Sequence, residues 1–151
     1  MENKILLISI FFLFSNYAIS YERLSIVTSD WAAAETLSML GVSPIAIAQL
    51  RNYQGWTGNE VIEKEDGIDV GLKSMPNMEL ISSYEPDFLL GENSILLQHV
   101  SKIAPTIDTS LYPFKHDPWG AIVDFTFEIA EQLNLKEEAE IVTAQANQRL
   151  A

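Results

Sequence analysis

Phe88, Leu89 and Leu90 form an uninterrupted apolar run between Pro86-Asp87 and Gly91. A run this short, with no polar alternation, reads as a strand covered on both faces, and such strands belong to parallel sheets with helices above and below. Parallel neighbours need crossover connections, so the chain on either side should alternate strand and helix. Upstream it does. Asp69, Val70 and Gly71 end a short extended segment, and Pro76 suits a first helical turn, where the missing N–H has no partner to lose. Met78, Leu80 and Ile81, interleaved with Asn77, Glu79, Ser82 and Ser83, then predict a short amphipathic helix that Pro86 stops.

Earlier βα steps follow the same logic. Leu24 to Val27 is an extended run rich in β-branched residues, Thr28-Ser29-Asp30 offers capping oxygens, and a helix should run from Trp31 to Leu40. Gly41 can take the left-handed conformation that ends it, and Ile45 to Ala48 reads as a second strand. From Gln49 to Gly67 no period is sustained, although Tyr53 and Trp56 lie within it. Irregular connections longer than about 12 to 15 residues are uncommon unless functional or disordered, and the aromatics favour function.

Beyond the central run, Ser94 can cap a helix carrying Ile95, Leu96, Val100 and Ile103, and Thr106 to Asp108 is a further short strand. Ser110 to Pro118 is expected as a loop. The last third is helical by pattern: Ile122, Phe125, Ile129 and Leu133 recur at helical spacing, Asn134 interrupts, and Ala139, Val142, Ala146 and Leu150 share a second face. No cap residue follows Leu150 and Ala151, so the pattern suggests an interrupted helix.

Lys4, the charge-free run Ile5 to Phe14 and the small-residue pattern Ala18-Ile19-Ser20 predict an exported leader over residues 1–20, cleaved before Tyr21. The run would extend roughly 15 Å as a helix, against a bilayer core of about 30 Å. A net charge of −12 argues against nucleic acid or an anionic membrane as partner, because both repel an acidic protein. With no cysteine there is no disulfide, thiolate metal site or lipidated N-terminal cysteine.

The order D-V-G, a basic residue, P-N-x-E-x-[LI] and P-D-x-[LIV] over Gly67 to Gly91 resembles the periplasmic binding proteins of ATP-driven importers for iron–siderophores and cobalamin, the ferric-hydroxamate binders above all. I-A-P-T at Ile103 to Thr106 is a further fragment of the likeness. The resemblance implies an α/β fold whose N-terminal lobe, a parallel β-sheet flanked by helices, ends in the start of a long inter-lobe helix, with the second lobe missing from this chain. Residues 21–118 would form that lobe and residues 119–151 the helical region beginning the connection. It also implies a non-enzymatic, monomeric carrier that captures an iron–siderophore small molecule in the periplasm and delivers it to an ABC-importer permease, with no cofactor and no protein metal ligands.

In that family the first strand–helix turn faces the ligand, which would bring Ser29, Asp30 and Trp31 to the cleft; helix packing accounts for Trp31 equally well. The segment Asn52-Tyr53-x-x-Trp56 corresponds to one in which relatives carry a tryptophan, and Trp56 would cover a siderophore's apolar flank or pin its own loop. Lys73 stands where hydroxamate binders have an arginine, and it offers one compact charge in place of a planar fork. A tyrosine that some relatives carry after the central strand is absent, the residues there being Glu92, Asn93, Ser94 and Ile95. Relatives dock their importer through a glutamate on the next helix; the corresponding position here is near Gln98, which leaves Glu92 as the acidic residue for permease docking.

Other classes find little in the chain. G-x-S-x-G, a Gly-rich phosphate loop and H-E-x-x-H are all absent. Glu60, Glu63, Glu65, Asp66 and Asp69 resemble a calcium loop but lack its spacing, and read as a solvated acidic segment. Rival readings are a cobalamin or haem carrier of the same fold, a truncated inactive fragment, and a secreted metal-dependent enzyme built on His116 and Asp117.

Overall fold

The computed structural model describes residues 24–58, 62, 67–92, 94–110 and 117–150. The expected leader, most of the acidic segment and Tyr112, Phe114 and His116 lie outside them. In order, the elements are β1 (Ile26–Thr28), α1 (Trp31–Met39), β2 (Ala46–Ile47), α2 (Leu50–Thr57), β3 (Ile68–Asp69), β4 (Gly71–Leu72), β5 (Met75–Pro76), α3 (Met78–Ser83), β6 (Phe88–Gly91), α4 (Ser94–Val100), β7 (Thr106–Asp108), α5 (Pro118–Gln132) and α6 (Lys136–Leu150).

Five strands form one sheet in the order β3-β2-β1-β6-β7, and every pairing in it is parallel. Alternation sorts the short strands cleanly. Ile26, Leu90 and Ile107 point into a core shared with Leu37 of α1 and with Phe125, Ile129 and Leu133 of the C-terminal helices. Val27, Ala46 and Leu89 point the other way, onto Ile81 of α3 and Leu97 and Val100 of α4. This is the covering on both faces expected of the Phe88 run, and it makes the α/β lobe.

The winding reverses at β1. The chain proceeds from β1 outward to β2 and β3, then crosses back to place β6 on the other side of β1 and β7 beyond it. Connections leaving the carboxyl ends of β1 and β6 therefore diverge, and in open parallel sheets ligands sit in the crevice so formed.

Helix ends follow the expected chemistry at three places. Asp30, Asn77 and Asp117 each accept a backbone N–H at 2.9 Å, from Ala32, Leu80 and Gly120. Gly41 (φ +81°) ends α1, and Asn134 (φ +57°) separates α5 from α6. The two C-terminal helices run antiparallel, since Trp119 near the start of α5 donates to Asn147 near the end of α6 at 2.9 Å. Ile122 and Leu150, expected on the apolar faces, remain 40% and 68% exposed.

Two expectations need correction. The stretch after Gln49 is not irregular throughout: α2 forms there, with Leu50 and Tyr53 buried. Two buried positions on a helix barely two turns long are too few to establish a period, and Gly55 lowers the local propensity, so packing of Tyr53 decides. Pro76 is not in a helical turn either. It lies in β5, antiparallel to β4 with Gly71 opposite, and Asn77 takes the N-cap. The proline ring belongs to a two-stranded ribbon, where a missing N–H is tolerated.

Ile129 is 1% exposed at the centre of the core beneath α5. Ile129→Ala should lose about 2–5 kcal/mol of unfolding free energy in a urea titration.

Candidate functional site

The carboxyl end of β1 is locked before any side chain reaches the crevice. Thr28 is buried, its hydroxyl accepts from Asp30 N at 3.0 Å and donates to Asp30 O at 3.1 Å, and Ser29 N donates to Leu90 O at 2.9 Å. Gly91 permits that closeness. A Cβ there would come within 2.6 Å of Ser29 Oγ, so the bare backbone of β6 lets β1's exit lie against it.

Trp31 begins α1 half-buried and held from three sides. Its indole Nε1 donates to Ala48 O at 2.9 Å, fixing the ring against the end of β2. Tyr53 of α2 meets it edge to face, with centroids 5.6 Å apart and planes at 84°. Over the remaining face stands Lys73, carried on the turn between β4 and β5, its Nζ 4.2 Å from the ring centroid. Contacts of this kind contribute about 0.5–1 kcal/mol where exposed and roughly 2 where water is excluded.

Tyr53 is itself anchored. Its hydroxyl donates a short hydrogen bond to the Glu35 carboxylate of α1, and burial, reinforced by that bond and by the Glu35 charge, pushes the phenol well above its usual range. It is a permanent donor at any physiological pH.

On the other side of the crevice Glu92 follows β6. Partial burial first, then the charge of Asp30, raise its carboxyl above the ordinary glutamate range, Lys73 opposes the rise, and a hydrogen bond shared with Asp30 adds to it. Asp30 is 3% exposed; Oδ1 caps α1, while Oδ2 has no partner. Ser110 Oγ donates to Glu92 O at 2.8 Å and so ties the exit of β6 to that of β7.

The structure thus brings together Trp31 and Lys73 in direct contact and Glu92 beside them through Asp30. Trp56 is not joined to this group by any contact described; it lies near the end of α2 and is 80% exposed. Asp69 leaves the acidic segment to serve the hairpin, accepting from Arg51 N and Gly71 N at 3.1 and 2.9 Å. Beside it a depression of about 390 Å³ is lined by Gln49, Arg51, Asn77 and Leu80, among others, without reaching Trp31 or Glu92. Sequence reasoning missed the Glu35 anchor and the coupling of Asp30 to Glu92. Neither has a local signal, since the partners are 18 and 62 positions apart. Among the described residues no cluster of three or more His, Asp or Glu could hold a metal ion, and no helix is long and apolar enough to cross a membrane.

A parallel sheet with a reversed winding and helices on both faces is the α/β fold found in one lobe of periplasmic binding proteins. Over the part that it covers, the chain is similar in sequence to substrate-binding proteins of iron uptake. It is 32% identical over 125 residues to the iron(3+)-hydroxamate-binding protein FhuD of Escherichia coli K12, spanning 80% of this chain and 40% of that protein. Over 116 residues it is 28% identical to the Fe(3+)-citrate-binding protein YfmC of Bacillus subtilis 168, 75% of this chain and 36% of the relative. Among solved structures, the Fe3+–Desferal-bound siderophore-binding protein FhuD of Vibrio cholerae superposes with a TM-score of 0.67 at 23% identity, covering 78% of this chain and 45% of that one. The chain therefore spans less than half the length of these relatives. No family model matches it.

Because folding raises the Glu92 carboxyl, that group favours the folded state at low pH, and this contribution is lost as pH rises through its folded value. Glu92→Gln should remain neutral throughout. In thermal melts the variant should gain on the parent between pH 4 and pH 7, modestly, because Glu92 is largely exposed and screened.

Proposed function

We propose that this chain is the ligand-facing N-terminal lobe of an exported solute-binding protein that captures a ferric siderophore and hands it to an ATP-driven importer. The observation that carries the reading is the Trp31–Lys73 pair at the switch point. It offers an apolar ring and a fixed ammonium to a chelate whose rim is partly hydrocarbon and whose iron-bound oxygens carry negative charge. Iron arrives already coordinated, so the lobe supplies contact area and charge and no metal ligands. On this reading residues 119–150 approach a second lobe, the product acts as a monomer in the periplasm, and no catalytic step is assigned. Glu92 was expected to dock the permease; its place beside Asp30 and Lys73 supports a role toward the ligand instead.

A carboxylate chelate is the second reading. Lysine replaces the arginine fork that suits paired hydroxamate oxygens, and one relative is named for ferric citrate.

Fluorescence titration tests both. With Trp56→Phe and Trp119→Phe in place, Trp31 is the one indole left of the three in the sequence. Ferric desferrioxamine B or ferric citrate should quench it saturably, with a Kd weaker than about 1 μM because a single lobe encloses little of the ligand. Lys73→Ala should weaken binding about tenfold, equivalent to roughly 1.4 kcal/mol. Absence of saturable quenching by any ferric chelate overturns the reading.

A further inference from the structure

Asp30 Oδ2 is an uncommon atom: a carboxylate oxygen fully enclosed yet without a hydrogen-bond partner. A buried acceptor left unmade costs on the order of 1–3 kcal/mol, more for a charged group, and persists where something else requires it. Its residue follows β1, and Glu92 follows the paired strand β6, so the register of Thr28 opposite Leu90 sets the two carboxyls at neighbouring strand exits, where Glu92 feels the charge of Asp30. Next along the same edge, past the end of β7, Thr109 is 1% exposed and its hydroxyl also has no partner. An enclosed carboxylate oxygen with no donor, beside a second carboxyl at the end of the neighbouring strand, is unmet demand for a donor.

The internal cation does not meet it. Lys73 is engaged over the Trp31 ring, and although its charge lowers the Glu92 carboxyl, burial and Asp30 outweigh it. A divalent metal does not fit either, since calcium takes 6–8 oxygen ligands and no group of three acidic or histidine side chains converges among the described residues. What fits is a compact group with several N–H donors and a positive charge. The overall charge of −12 attracts such a group.

We infer that the Asp30–Glu92 pair is a subsite for a protonated amine carried by the chelate, beside the Trp31–Lys73 surface that meets the chelate's body. The inference rests on the siderophore-binding reading and deepens it: the ligand is an amine-bearing siderophore. In the complex the ligand's ammonium would donate to this pair of carboxyls.

The test uses the whole chain and two ligands with the same hydroxamate core, ferric desferrioxamine B, which ends in a primary amine, and its N-acetyl derivative, which does not. At pH 8 the amine form should bind roughly tenfold or more tightly, the size expected of a charge-assisted hydrogen bond. Glu92→Gln, on an exposed side chain, should keep the parent's melting profile at that pH within a few degrees and remove most of the preference. Asp30→Asn, which retains a capping oxygen, should do likewise. Equal affinity for the two ligands overturns the subsite and leaves the binding function standing. A preference that survives Glu92→Gln also overturns it. If neither ligand binds, the subsite falls, and the binding function then stands or falls on the ferric citrate titration.

Discussion

The pairing of β1 with β6 is the constraint on which the rest of the lobe depends. Thr28 opposite Leu90 brings two strand exits side by side, although their connections then leave in opposite directions. Close approach of the two backbones is possible because Gly91 has no side chain to meet Ser29. Any larger residue would push Ser29 aside and, with it, the turn that presents Asp30 and Trp31. Site geometry is thus a consequence of sheet register, and the helices on either face hold that register by burying Ile26 and Leu90 one way and Val27 and Leu89 the other.

From that edge outward the side chains form two linked tiers. Trp31 is restrained by a carbonyl, an aromatic edge and an ammonium, while the aromatic edge is restrained in turn by Glu35. A ring fixed in this way loses little further freedom when a ligand covers it, which is how preorganisation favours binding. Across the crevice Glu92 is held against the charge of Asp30, which Lys73 offsets only in part. One tier is therefore ready for apolar and anionic surface, the other for a cation. Their juxtaposition on a strongly acidic protein separates this site from a simple basic pocket for anions.

Much of the fold was legible before the structure. A three-residue apolar run with Pro before it and Gly after it could bury itself only between two helical layers, and the capping roles of Asp30 and the breaks at Gly41 and Asn134 follow from local chemistry. The helix around Tyr53 was not legible, because it is shorter than the window in which a period can be recognised. Pro76 misled because its fixed φ serves a helix start and an edge strand equally well. Of the site, Trp31 and Lys73 were named from the sequence and do meet, while Trp56 shares their residue chemistry without joining them.

Sequence by itself determined the layers, the alternation of strand and helix and the acidic character of the surface, since each depends on short-range pattern or on composition. Tertiary structure decided which charges face one another. Glu92 and Asp30 are separated by β2, β3, the hairpin and β6, and nothing in either local sequence distinguishes a solvated carboxylate from one pressed against another. Their coupling arises from the reversal of winding at β1, a property of the order in which strands add to a sheet, and long-range order of that kind has no period along the chain to reveal it.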